Sequence, residues 1–169
     1  MRSNRRGCPG RDWLPFYWEG FLQTTRYTYV LENIGNPQLL WEQMATNIRR
    51  NIQKAEKRYN LTVRRGVSAD ELLRMQNYSF KRQQLKPKGT KTLRKLIERS
   101  KERGQGDVWG AYEPDGKLHA AVFIAWQSSS AYYIAGGSDP ALRESGAHSL
   151  LLWKAIQDVA AYSQVFVFE

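Results

Sequence analysis

Three strand-like segments follow one another between residues 107 and 137, and the middle one constrains the fold most. It is KLHAAVFIAWQ, and it is apolar on both faces of an extended chain. One face carries Leu118, Ala120, Val122, Ile124 and Trp126, and the other carries Ala121, Phe123 and Ala125. A strand of this kind lies inside a sheet that is covered on both sides. The sequence therefore predicts helices on both faces of a central sheet.

The flanking sequence supplies the other elements. RYTYVLE, LTVRR, DVWGAY, SAYYIAGG and QVFVFE are rich in β-branched and aromatic residues and are predicted to be strands. Apolar spacings of three and four predict one helix over residues 39–59, and Gly104 marks the end of another over 90–104. Ser68 and Glu71 form a capping-box pattern before a further helix. The element order predicts an α/β (α+β) mixed sheet, with AHSLLLWKAIQDVAAY as its last helix.

The length is that of one domain. We expect a flexible basic segment over residues 1–26 and a single domain over 27–169. Because the last strand runs to the terminal residue with nothing to pack beside it, the domain is expected to be truncated at its C-terminus.

Composition narrows the class of partner. The chain has 26 Lys+Arg against 16 Asp+Glu, a net charge of +10, which favours anionic partners such as nucleic acid, a membrane surface or a phosphorylated small molecule. A single cysteine, Cys8, excludes an internal disulfide framework and fits a reducing compartment, so a cytoplasmic location is expected. No spacing of histidine and cysteine indicates a metal site, and no apolar run is long enough to span a membrane.

The loop between SAYYIAGG and the last helix is a candidate anion site. A helix N-terminus offers unpaired N–H groups and a partial positive charge, which together favour phosphate. Gly146 allows close approach of a ligand, Arg143 adds a charge, and the amides of Ser145, Gly146, Ala147 and His148 are the candidate contacts. An ordinary turn before a helix has the same pattern, so both interpretations stay open.

The same loop carries a family resemblance. Residues 143–148, RESGAH, resemble the R/Q-x-x-G-x-G/A loop of the GNAT acyltransferases, with His148 in place of the usual small residue. Longer stretches, including LPFYWEGFLQTTRYTYVLE, NIRRNIQKAEKRYNLTV, YSFKRQQ and the final VFVFE, resemble the Fem-like branch of these proteins. That branch is related to the methicillin-resistance-type peptidyltransferases and usually carries two GNAT-like halves. This chain resembles the second half.

The resemblance implies acyl transfer from acetyl-coenzyme A or another acyl-coenzyme A to an amine, without a metal. It implies that the loop binds the pyrophosphate of coenzyme A and that backbone groups of Ile134 to Gly137, including Gly136, polarise the donor carbonyl. Gly136 and Gly137 would permit a bulge that aims an N–H group inward. Candidate catalytic side chains are Asp139, Glu169 and Tyr133, each of which also has an ordinary structural interpretation. Arg82 and Gln83 are candidate contacts to the acceptor.

Two other functions stay open. The donor could be an aminoacyl-tRNA, held by the basic segments RRNIQKAEKR and KPKGTKTLRK. The same surfaces could belong to a non-catalytic nucleic-acid-binding module, although they hold few aromatic residues for base stacking. His119, inside a strand, is interpreted as a core histidine. The acceptor and the oligomeric state are not predicted.

Overall fold

A computed structural model describes residues 14–22, 27–82, 84–87 and 89–168. The strands are β1 (Tyr29–Glu32), β2 (Thr62–Arg65), β3 (Gly106–Tyr112), β4 (Leu118–Trp126), β5 (Ser130–Ser138) and β6 (Val165–Phe168). The helices are α1 (Leu14–Trp18), α2 (Pro37–Gln43), α3 (Thr46–Lys57), α4 (Ala69–Arg82), α5 (Thr90–Glu102) and α6 (Ala147–Val159), with a 3-10 helix over Pro140–Ser145. The short helix α1 falls within the segment that was expected to be flexible.

The six strands form one sheet in the order β1-β6-β5-β4-β3-β2. All neighbours are antiparallel except β5 and β6, which are parallel and are joined through the 3-10 helix and α6. A parallel pair needs a crossover of this kind, because its second strand must start at the same edge as the first. The crossover therefore begins at the end of β5, in the segment that was predicted to bind an anion.

Both faces of the sheet are covered, as the sequence predicts. Val122 and Ile124 of β4 pack in one core with α3 and α6, whereas Ala121 and Phe123 pack in a second core with α4 and α5. Burial of both sets removes their apolar area from water at about 25 cal/mol per Å². The predicted mixed α/β sheet with helices on both faces is confirmed.

One face assignment within β4 is wrong. Leu118 joins Ala121 in the second core instead of sharing the face of Ala120. The register explains this, because Ala111 pairs with Ala120 while Tyr112 pairs with Leu118, which leaves His119 as an extra residue in a bulge. A bulge reverses the alternation of side chains beyond it.

The single helix predicted over residues 39–59 is two helices. Met44 and Ala45 are extended, with ψ of 136° and 139°, and they separate α2 from α3. The predicted apolar face continues across the break, because residues of both helices and of the segment between them contact the same core. They are Trp41, Met44, Ile48, Ile52 and Ala55.

A bulge in β5 also differs from the prediction. Phe123 pairs with Ala135 and Ile124 with Tyr133, so the extra residue is Ile134. Gly136 and Gly137 stay in register with β4, and the prediction of a bulge there is wrong. Gly137 is needed for another reason: a Cβ atom at this position would collide with the backbone of Met75 in α4.

Candidate active site

A polar cleft of about 440 Å³ lies at the end of β5. The strand, the 3-10 helix, the start of α6, and parts of α3 and α4 surround it. It is lined by Asn51, Ser79, Arg82, His119, Tyr133, Gly136, Gly137, Ser138, Leu142, Arg143, Ser145, Gly146, Ala147, His148 and Ser149. The cleft therefore contains the loop at residues 143–148, which we call the anion loop.

Gly146 gives the anion loop its shape. Its φ is +75°, in the left-handed region, and it caps α6 without any side-chain hydrogen bond. A Cβ atom at this position would also collide with the carbonyl oxygen of Asn51 in α3. Glycine is thus required here both for the backbone conformation and for the close approach of a second helix.

The amides of the loop are not equivalent. The Ala147 N–H donates to Ser145 Oγ at 3.3 Å, so it already has a partner within the loop. Among the described residues the Gly146 N–H has no hydrogen-bond partner, and His148 lies in the first turn of α6, where N–H groups lack intrahelical partners. Of the predicted amide contacts, Ala147 is thus bonded within the loop, whereas Gly146 and His148 have N–H groups without a partner in the described part of the chain.

The side chains around the cleft are cationic or neutral. Arg143 and Arg82, from the 3-10 helix and α4, are exposed and line the same cleft. Within the part of the chain that the structure describes, no aspartate or glutamate lines it. Two guanidinium groups beside an open helix N-terminus favour an anionic ligand.

Tyr133 and His148 are two titratable residues of the cleft whose rings are in contact. Their rings meet edge to face, with centroids 6.3 Å apart. Burial raises the pKa of Tyr133 and lowers the pKa of His148. At neutral pH the phenol therefore keeps its proton and the imidazole is uncharged, so that one can donate a proton and the other can accept one.

Gly136 makes room for the hydroxyl group of Tyr133. A Cβ atom on Gly136 would lie 2.5 Å from the Tyr133 hydroxyl oxygen. The neighbouring Tyr132 does not line this cleft; it borders a separate depression beside Trp126. The two tyrosines thus have different surroundings, and only Tyr133 faces the anion loop.

The other predicted site residues do not line the cleft or lie outside the described residues. Asp139 caps the 3-10 helix, with its carboxylate oxygen accepting from the Ala141 N–H at 2.9 Å, and it does not line the cleft. Ile134 lies at the bulge of β5 and packs against the second core. Gln83 and Glu169 lie outside the described residues.

Some cleft residues could not be found from the sequence. Asn51 comes from a helix about 90 residues before the loop, and Ser79 lies near the end of a helical pattern; neither carries a local signal. His119 was identified only as a core histidine. It is indeed buried, at 1% exposure, but it also reaches the anion loop through Ser145.

A second, apolar cleft of about 510 Å³ adjoins the first, since both are lined by His148 and Ser149. Its other walls include Met44 and Ile48 before and within α3, and Leu152 of α6. In the described ranges no helix is long and apolar enough to cross a membrane. The same ranges hold no group of three or more potential metal-ligating side chains.

Strand β5 thus leads through the glycine-containing anion loop into the crossover helix α6. The sequence from residue 42 to 168 matches the family described as the acetyltransferase (GNAT) domain. This match covers most of the chain, and the chain therefore belongs to the GNAT family. The predicted resemblance to the GNAT acyltransferases is confirmed.

Solved structures with the same fold are distant in sequence. The crystal structure of FemX is 11% identical, with a TM-score of 0.74, over 83% of this chain and 52% of that chain. A conserved protein of unknown function from Bacteroides thetaiotaomicron is 11% identical, with a TM-score of 0.61, over 83% and 49%. The L-PGS structure from Bacillus licheniformis is 10% identical, with a TM-score of 0.53, over 84% and 45%.

The chain spans about half the length of these three structures. At such low identity the likeness shows the fold alone. No match was found among curated proteins.

Proposed function

We propose that this chain is an N-acyltransferase that moves an acyl group from acyl-coenzyme A to an amine by direct transfer. The observation that carries the proposal is the cleft at the end of β5, where an open helix N-terminus, two arginines and a proton-donor and proton-acceptor pair meet. The family assignment supports acyl transfer as the reaction class. A coenzyme A donor also fits the cytoplasmic location expected from the sequence.

The phosphates of the donor occupy the anion loop in this proposal. The Gly146 amide, the first turn of α6 and the Arg143 guanidinium supply donors and positive charge on one side of the cleft. The apolar cleft beyond His148 offers room for the uncharged arm of the donor. A phosphate at the loop and a thioester near Tyr133 would hold the donor at two points.

The chemistry follows from the titratable pair. The amine nitrogen attacks the thioester carbonyl carbon; the C–N bond forms, the C–S bond breaks, and the products are an amide and the free thiol. Neutral His148 accepts the proton that the amine loses, and the Tyr133 hydroxyl gives its proton to the leaving sulfur. Holding both reactants in the cleft can supply roughly 7–11 kcal/mol of the barrier.

The acceptor side of the cleft carries Arg82. Its guanidinium can bind a carboxylate or phosphate on the acceptor with two parallel hydrogen bonds. Gln83, Asp139 and Glu169 remain predicted contacts or bases, and the backbone of Ile134 and Gly137 remains the predicted contact to the donor carbonyl.

The experiment is a thiol-release assay with acetyl-coenzyme A and a panel of amines that do or do not carry an acidic group. Tyr133→Phe is expected to lower kcat about 100-fold, because the leaving thiolate loses its proton donor. Tyr132→Phe removes an identical hydroxyl one residue away and is the matched control. Equal rates for these two variants, or no amine-dependent thiol release by the unaltered chain, would contradict the proposal.

A second candidate donor is an aminoacyl-tRNA. Arg50, Lys57 and Arg58 are exposed on or just after α3, the helix whose Asn51 reaches the cleft. Phosphates beyond a terminal aminoacyl adenosine would meet these charges. RNA binding that weakens steeply with salt, together with no affinity for coenzyme A, would favour this donor or the non-catalytic nucleic-acid module.

A further inference from the structure

His119 is a buried titratable group that the acyl-transfer mechanism does not use. It is the extra residue in the β4 bulge and is 1% exposed. Its Nδ1 atom lies 3.0 Å from Ser145 Oγ, and its Nε2 atom lies 2.7 Å from a carboxylate oxygen of Glu113. The imidazole thus connects the anion loop to a carboxylate near the β3–β4 turn.

The chemistry of these groups determines which atom donates and which accepts in each contact. A carboxylate can only accept, so the uncharged tautomer that suits Glu113 is the one with its proton on Nε2, although the approach is too bent for a standard hydrogen bond. Nδ1 is then an acceptor for the Ser145 hydroxyl. The Ser145 oxygen in turn accepts from the Ala147 N–H. Each group therefore has one defined role in a chain from Ala147 to Glu113.

His119 also holds the other end of the same segment. Its backbone carbonyl accepts from the Asp139 N–H at 2.9 Å, just before the 3-10 helix begins. Its side chain contacts Ser145, where that helix ends. One strand residue thus fixes both ends of the segment that carries Arg143.

We propose that His119 is a positioning residue for the anion loop and that Glu113 sets its tautomer. The contact with His119 draws Ser145 inward, and Ser145 Oγ then accepts from the Ala147 N–H. The Gly146 amide and Arg143 are left to bind the ligand. The consequence for donor affinity rests on the proposed function; the hydrogen-bond chain itself does not.

Two substitutions at His119 separate its nitrogen atoms. In His119→Asn the amide oxygen stands near the position of Nδ1 and can still accept from Ser145. In His119→Gln the longer amide reaches the position of Nε2 instead and faces Glu113. Both variants remove the ring from the same buried site, so a purely structural role predicts equal effects.

The measurements are calorimetric titration with coenzyme A and hydrogen exchange of the Ala147 amide in the free protein. We expect His119→Asn to keep affinity within about threefold, and His119→Gln to lose about tenfold, as for one lost hydrogen bond in a buried network. Ala147 should stay protected from exchange in the first variant and lose protection in the second. Equal affinity and equal exchange in both variants would overturn the proposal.

A serine pair keeps the test usable if the histidine variants do not fold. Ser145→Ala removes only the hydroxyl, whereas Ser163→Ala removes another buried hydroxyl, which donates to the Gln127 carbonyl outside the cleft. Only the first should weaken coenzyme A binding and speed exchange at Ala147, and no difference between the two would overturn the proposal. If the unaltered chain does not bind coenzyme A, the proposed function fails, and the exchange data alone decide on His119.

Discussion

The N-termini of α4 and α6 are built in opposite ways. At α4, Ser68 Oγ accepts from the Glu71 N–H at 3.2 Å and Glu71 Oε2 accepts from the Ser68 N–H at 3.3 Å. The chain thus satisfies this helix end with its own side chains. At α6 the cap is Gly146, which has no side chain to offer, and two arginines stand nearby.

The difference distinguishes a structural helix end from one that is suited to a ligand. Unpaired N–H groups at a helix start cost free energy unless a side chain, water or an anion satisfies them. At α4 the capping box supplies the partner, and Glu71 also places a negative charge at the positive end of the helix. At α6 the cap residue supplies no side-chain partner, and the Ala147 N–H is instead satisfied by Ser145 Oγ.

The largest expected effect comes from Gly146→Ala. The substitution meets both a left-handed backbone and the Asn51 carbonyl, whereas Gly116→Ala meets a φ of +88° with open space around it. Both should lose about 1–2 kcal/mol of unfolding free energy from backbone strain, and Gly146→Ala about 1–3 kcal/mol more from overpacking. Chemical denaturation measures both, and equal losses would show that the α3 approach does not shape the loop.

Arg143→Ala tests whether the N-terminus of α6 binds a ligand. Loss of a charged hydrogen-bond donor should weaken coenzyme A binding about 10–100-fold and leave the melting temperature of the free protein unchanged. Arg99→Ala, an exposed arginine of α5 that does not line the cleft, is the control. Unchanged affinity in Arg143→Ala would remove this residue from the site.

Ser68→Ala tests the structural role of the capping box at the N-terminus of α4. Removing the cap of α4 should cost about 1 kcal/mol of unfolding free energy, because one N–H group loses its partner. Coenzyme A affinity should not change, since Ser68 is not in the cleft. A loss of affinity without a loss of stability would reverse the roles given to the two helix ends.

The smallest expected effect is a decrease in the unfolding free energy, in two separate pH ranges, as the pH is lowered. Burial alone would raise the pKa of Glu71, but hydrogen bonds from Ser68 and Tyr112 and the charge of Arg74 outweigh it, and the pKa is lowered from 4.5. Burial lowers the pKa of His148 from 6.5. In both cases the unfolded chain binds the proton more readily, so the contribution is present above the unfolded pKa and is lost as pH falls through the folded one.

Denaturation across pH measures these steps. His148→Gln should remove the step that begins below about pH 6.5, and Glu71→Gln the one that begins below about pH 4.5. Unaltered pH profiles in both variants would contradict the surroundings described for these side chains.

The two helix ends also differ in how far the sequence predicts them. The α4 cap depends on Ser68 and Glu71, which lie three residues apart, so a local pattern was enough. The anion loop was found by its glycine and arginine, but its shape depends on Asn51 and His119, which are distant in the chain. The bulges at His119 and Ile134 were missed or misplaced because strand register is set by tertiary pairing.

We propose that the α6 N-terminus holds the phosphates of an acyl carrier. A crystal structure of the chain with coenzyme A tests it most directly. We expect the pyrophosphate within hydrogen-bond distance of the Gly146 amide and the Arg143 guanidinium, with the thiol directed toward Tyr133. A coenzyme A molecule bound elsewhere, or an empty anion loop at saturating ligand, would contradict it.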